Sequence, residues 1–192
     1  MQAPTPAVPR LFHFAAGDHG QWHIEKILPV IGETLALAPK LAISSGNFSE
    51  PADKSSWVLH GKTSNDRYVE RAEKTLLQSR QEGLGRAHAT CAALIPIRKN
   101  AAWWALTQDE RRAIFEEKSH HNEIGLKYLP EIARKLHHCR DLDADQPFDF
   151  LTWFEYAPEH TAAFEDLVAA LRATLEWTYV DWEVDVRLIR AS

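Results

Sequence analysis

The stretch WTYVDWEVDVRLI, residues 177–189, decides the fold class. Val180, Trp182, Val184, Val186 and Leu188 alternate with Asp181, Glu183, Asp185 and Arg187. That period of two belongs to a strand with one face on a core and the other carrying charge. A strand of a parallel sheet, covered on both faces, reads instead as a continuous apolar run. Working outward, FDFLTWFEY (148–156) is an aromatic-rich strand, ATCAALIPIRK (89–99) a buried one, and WVLHGKTS (57–64) alternates again. Residues 11–16 and 23–31 read as strands around the turn GDHG, and 44–56 as a polar, turn-rich loop.

Between the strands lie helical periods. NDRYVERAEKTLLQSRQEGLG (65–85) carries Tyr68, Ala72, Leu76 and Leu77 on one stripe and ends at Gly83 and Gly85. TQDERRAIFEEKSHH (107–121) opens with Thr107 and Glu110 at capping-box spacing. EHTAAFEDLVAALRATLE (159–176) places Ala163, Phe164, Leu167, Ala170 and Leu171 on one face. The order of strands and helices from Ser56 onward also suits a parallel α/β sheet. No glycine-rich phosphate loop follows any strand, and the alternation favours an antiparallel sheet. The expectation is an α+β fold with helices on the outer face of antiparallel sheets. Two ferredoxin-like halves fit the length, although no internal repeat is visible in the sequence.

Composition narrows the function. The net charge is −5 with no basic stripe, which speaks against a nucleic-acid partner. No apolar run reaches the length of a membrane span. MQAPTPAVPR (1–10) reads as a short flexible lead-in without the apolar region of an export signal, and the two distant cysteines do not make a disulfide framework. A cytoplasmic location follows as the expectation. Cys91, in an apolar run, reads as an inert core residue. The unusual entries are seven tryptophans and ten histidines. Trp22 and Trp182 are read as exposed aromatics available to an interface.

The histidines concentrate in SHHNEIGLKYLPEIARKL (119–136) and LHHCRD (136–141). Zinc is disfavoured: there is no CxxC or HExxH, and adjacent histidines on a helix point about 100° apart. The one HxxxH, HGQWH at 19–23, contains a glycine and lies in a turn. His137, His138 and Cys139 read as a solvated helix end, where imidazoles suit the helix dipole. Haem asks for one inward histidine and an apolar slot. His121 shares a stripe with Ile114 and Leu129, and His120 falls off it, so His121 is the inward candidate. On periodicity alone a satisfied core histidine is the commoner outcome.

The segments WWALTQDERRAIFEEKSHHNEIGLKYLPEIARKL (103–136), FDFLTWFEY and LEWTYVDWEVDVRL (175–188), in that order, resemble the chlorite dismutase family of haem b enzymes. The likeness is to its short-chain, dimeric branch, runs from about Trp57 to Leu188 and is strongest from Thr90. It implies a ferredoxin-like, dimeric α/β barrel type of fold with two related halves. These comprise a flexible segment 1–10, a truncated half 11–88 and a haem-binding half 89–192. It implies decomposition of chlorite to chloride and dioxygen, with O–O bond formation after O–Cl cleavage at ferric haem, and a homodimer.

Residue by residue, the resemblance puts His121 at the proximal iron ligand and Glu176 at the carboxylate that accepts its hydrogen bond. It puts Arg134 at the distal catalytic arginine, where related coproheme decarboxylases carry glutamine. Lys99 and Trp103 match haem-propionate and pocket residues, with Trp104 beside them. Asn65 and Tyr68 resemble a propionate-contacting stretch, in which Asp66 departs from some members. Thr152 and Phe154 resemble the distal wall. A straight helix would separate Arg134 from His121 by roughly 20 Å and about 140°, so a helix bent at Pro130 is expected to deliver both. A coproheme decarboxylase or weak peroxidase on the same fold, or a non-catalytic haem-binding module, are the alternatives to chlorite turnover.

Overall fold

The computed structural model describes residues 10–46, 55–63, 70–143 and 145–191. Eight strands are β1 (Leu11–Gly17), β2 (Trp22–Ile31), β3 (Lys40–Ser45), β4 (Trp57–Lys62), β5 (Cys91–Lys99), β6 (Ala133–His138), β7 (Phe150–Tyr156) and β8 (Val180–Arg190). They close into one barrel in the order β1-β3-β2-β8-β5-β7-β6-β4, every pairing antiparallel. The antiparallel α+β class is as the alternation of β8 implies. Strands from 11–88 stand together as β4-β1-β3-β2 and those from 89–192 as β8-β5-β7-β6, and the two sets join where β2 pairs with β8 and β4 with β6.

The pleat sorts the core into two layers. Phe14, Trp22, Leu41, Leu94, Leu151, Trp153, Val184 and Val186 fill the barrel. Residues of opposite parity, Ala93, Ile95, Ile97, Phe154 and Tyr156, face outward onto α5 (Thr161–Arg172), where Phe164, Leu167, Val168 and Leu171 cover them. β5 and β7 are therefore apolar on both faces. On β8 the outward row is Glu183, Asp185 and Arg187, and the first two are fully buried rather than wet. Arg172 of α5 donates to Glu183 and Asp185 at 2.8 and 2.9 Å, and the Trp177 indole donates to Glu183 at 2.7 Å. A helix can cover charge when its own charges complete it.

The remaining helices are short: α1 (Arg71–Arg80), α2 (Ala101–Ala105), α3 (Gln108–Arg112) and α4 (His121–Leu126). The Thr107–Glu110 capping box opens α3 as its spacing predicts. Between α3 and α4 the chain widens into a π-helical turn at Ala113–Lys118, and His120 takes a left-handed φ of 52°. These breaks abolish the continuous stripe expected through Ile114, His121 and Leu129.

Several expectations are corrected here. No bent helix joins His121 to Arg134: α4 stops at Leu126, turns follow, and Arg134 lies on β6. Pro130 cannot continue a helix, and beyond it ARKLHH is strand, paired with β7 through Arg134↔Phe154 and His137↔Leu151. His137, His138 and Cys139 are thus not a solvated helix end; all three are buried. Trp22 lies in the barrel core, and Cys139 rather than Cys91 is the buried thiol. Residues 40–45, in part assigned to loop, form β3, and 175–179 form a 3-10 helix before β8 begins. The lead-in at 1–9 lies outside the described residues, as do Asn65 and Tyr68.

Candidate active site

A cavity of about 480 Å³ opens between the outer face of β5, β7 and β6 and the helices α1, α4 and α5. Strand pairing lines up its floor: Phe154 sits beside Arg134, and Thr152 lies between Leu136 and Ile95. Leu77 of α1, with Val168 and Leu171 of α5, supplies apolar wall on the helical side.

His121 is the first residue of α4. Its ring stacks on Phe115 at 4.3 Å between centroids. Its Nδ1 donates to Glu176 at 2.7 Å, which fixes the tautomer and leaves Nε2 without a partner among the described residues. Glu176 is buried in the 3-10 turn after α5. Its other oxygen accepts from the Lys99 ammonium at 2.8 Å, and its backbone N–H donates to Ser119 Oγ at 2.9 Å. Burial alone would raise the Glu176 carboxyl; His121 and Lys99 outweigh it and bring the pKa down to about 2. Lys99 is itself buried, its ammonium over the Trp103 and Trp177 rings at 4.6 and 5.4 Å.

Arg134 reaches the same cavity from β6. Its guanidinium has no carboxylate or carbonyl acceptor among the described residues; the hydrogen bond it does show is on its backbone, where Gln81 Nε2 donates to Arg134 O at 2.9 Å. Burial lowers its pKa to about 10, so it stays protonated at neutral pH. The guanidinium lies against Gly125 of α4, where any side chain would collide with it. A half-buried cation with no protein anion among the described residues is costly unless a ligand completes it.

Seven of the sequence-derived residues line this cavity: His121, Glu176, Lys99, Trp103, Thr152, Phe154 and Arg134. Trp104 stands outside the lining, its indole on Asp149 at 3.2 Å and its ring stacked on Phe150. Sequence reasoning missed Phe115, Ser119 and Gln81. Ser119 stands two residues before His121, but the π-helical turn that brings Phe115 onto the ring has no period to announce it. Among the described residues no three His, Cys, Asp or Glu side chains gather to hold a bare metal ion, and no helix is long and apolar enough to cross a membrane.

Comparison with known proteins places this geometry. The crystal structure of dimeric chlorite dismutases from Nitrobacter winogradskyi is 62% identical, with a TM-score of 0.86 over 94% of this chain and 99% of that one. A mutant chlorite dismutase from Candidatus Nitrospira defluvii, 22% identical, shares the fold with a TM-score of 0.63 over 96% of this chain and 93% of that one. A chlorite dismutase from Ideonella dechloratans is 37% identical over 92 residues, 47% of this chain but 30% of that protein's length. The chlorite dismutase family model matches residues 48–189, and the chain belongs to that family.

Proposed function

We propose that this chain is a haem b enzyme that decomposes chlorite to chloride and dioxygen. One observation carries the reading: Arg134, a half-buried residue whose guanidinium has no protein anion among the described residues, opens onto the same cavity as the uncommitted Nε2 of His121.

The residues fit the cofactor. A cavity of about 480 Å³ is of the size that holds a large planar ligand, apolar on its walls. His121 would hold the iron through Nε2, with Nδ1–H fixed by Glu176. Asn65, Tyr68 and Trp103 are proposed around the macrocycle and its propionates, with Trp104 packed behind them on Asp149 and Phe150. Lys99 is proposed to serve Glu176, because its ammonium is already engaged there. Bound haem would supply the redox chemistry that breaks the O–Cl bond and forms the O–O bond.

The chain's own part is binding and confinement. Arg134 stays charged at working pH and offers several donors to a small anion. Held in an enclosed space, the chlorine-oxygen fragment stays close enough to recombine rather than escape. Phe154 and its apolar neighbours exclude water from that space. Glu176, kept ionised by Lys99, makes the His121 ring a stronger donor to the metal. Similarity to the dimeric Nitrobacter winogradskyi protein supports a homodimer, and the unpaired thiols Cys91 and Cys139 suit the reducing cytoplasm.

The test is oxygen release from chlorite by haem-loaded protein, beside a peroxide and dye assay. Wild type is expected to evolve oxygen rapidly. Arg134→Ala should keep its haem and lose oxygen yield by about a hundredfold, the scale of removing one electrostatic stabiliser. His121→Ala should lose both. Unchanged oxygen yield in Arg134→Ala overturns the role of Arg134, and peroxide turnover without oxygen release favours the peroxidase alternative.

A further inference from the structure

Helix α1 is built unlike the rest of the molecule. None of its described side chains is buried, and Leu76 is 40% exposed. It nevertheless carries part of the cavity wall, Lys74 and Leu77, and is followed at once by Gln81. Packing alone would not hold such a helix down.

Its two ends are held differently. Past its C-terminus, Arg86 is largely buried and donates to Pro130 O at 3.0 Å, Glu131 O at 2.8 Å and Glu155 O at 3.2 Å. Gly85 N–H donates to the Glu155 carboxylate at 2.6 Å. That end is anchored to the barrel. Between that anchor and the helix stands Gly83, with open space around it.

The N-terminal end is held on Arg112, closely by the Glu73 carboxylate and at 3.8 Å by that of Glu70. Glu73 accepts from both terminal nitrogens of Arg112 at 2.8 and 2.7 Å, and from Asn122 Nδ2 at 3.4 Å. Asn122 is the neighbour of His121. Glu73 is also the third residue of α1, and its carboxylate accepts from Glu70 N–H at 2.8 Å to close the helix's own capping box. The side chain that docks α1 on α3 and α4 is therefore the one that caps α1. Release at Glu73 undocks the helix and frays its first turn together.

We propose that α1 is a hinged cover over the cavity, latched at Glu73–Arg112 and pivoting at Gly83, and that it opens to admit and release the cofactor. This rests on the haem-binding reading above. The latch stands next to Asn122 of the cavity lining, its side chains 20% and 23% exposed, where a bidentate pair is strong enough to hold and weak enough to break.

The test measures haem loss from the loaded protein to excess apomyoglobin, with hydrogen exchange of the α1 amides on the apoprotein. Glu73→Gln and Arg112→Ala are each expected to release haem about tenfold faster. The exchanged pair Glu73→Arg with Arg112→Glu should return the rate part of the way toward wild type, since it restores the docking pair but not the acceptor for Glu70 N–H. In wild-type apoprotein, amides 71–80 should exchange far faster than those of α5. Wild-type release rates in both single variants, or α1 protection equal to that of α5, overturn the cover. Failure of wild type to take haem at all strikes the cofactor reading instead, and the exchange experiment still judges the hinge.

Discussion

His121 and Glu176, 55 residues apart in sequence, meet at 2.7 Å between Nδ1 and a carboxylate oxygen. The contact joins the start of α4 to the turn that follows α5, so it ties two helices together beside the cavity.

The Glu176 carboxylate is itself buried and holds one buried partner, Lys99, and one half-buried partner, His121, so its removal should be felt in stability without any cofactor. Its folded pKa of about 2 lies below the ordinary carboxylate value of about 4.3. A depressed carboxylate stabilises fully above the unfolded value, and the contribution fades as pH falls toward the folded one. Glu176→Ala strands the Lys99 ammonium and is expected to cost about 3–5 kcal/mol at pH 7. Glu176→Gln should cost less. The gap between wild type and Glu176→Gln in urea midpoint should stay constant from pH 7 to 5 and close below pH 4. A gap that is absent at pH 7 would remove the ion triad from the stability of the fold.

His137 makes the second pH window. It is buried in the barrel against Phe12 and Phe14, with Nδ1 on Leu151 O at 3.2 Å. Burial drives its pKa down to about 4, against the Leu151 carbonyl, which favours the charged ring. The unfolded chain takes up the proton near pH 6.5 and the folded chain does not, so stability falls between pH 6.5 and 4. The loss is on the order of 3 kcal/mol. His137→Phe, which keeps an aromatic ring there, should flatten the acid limb in that interval while leaving the Glu176 window below it. Identical slopes for wild type and His137→Phe between pH 6.5 and 4.5 would place the acid sensitivity elsewhere.

How much of this was legible depended on whether the signal was local. Alternation on β8 was enough for an antiparallel sheet, because a period of two is a property of the strand itself. The same alternation misreads Glu183 and Asp185 as wet, because their cover, Arg172, comes from another element and leaves no mark on the strand. His121, Glu176 and Arg134 came from resemblance, which carries residue positions but not backbone conformation. Hence Arg134 was placed on a helix when it lies on β6. The buried pair His137 and His138 reads as a solvated helix end when the helical pattern of 119–136 is carried past Pro130, whereas β6 begins at Ala133. β3 was overlooked because its six residues run directly into a polar, turn-rich stretch.

The buried charges beneath α5 give the last prediction. Arg172 answers both Glu183 and Asp185, whose side chains are 0% and 2% exposed, while its own is 24% exposed. Arg187 shares Asp185 and reaches out to Glu165, and Trp177 adds one donor to Glu183. Removing Arg172 leaves the carboxylates where water cannot reach them. Arg172→Ala should therefore destabilise by about 3–5 kcal/mol, far more than an exposed ion pair would. Asp185 keeps Arg187, so the stranded group is Glu183, and neutralising it as Arg172→Ala with Glu183→Gln should recover a large part of that loss, because the cost lies in the unanswered charge and not in the missing contact. Urea unfolding of the single and double variants decides it. A double variant no more stable than Arg172→Ala alone would mean that packing of the arginine stem, rather than its charge, holds α5 to the sheet.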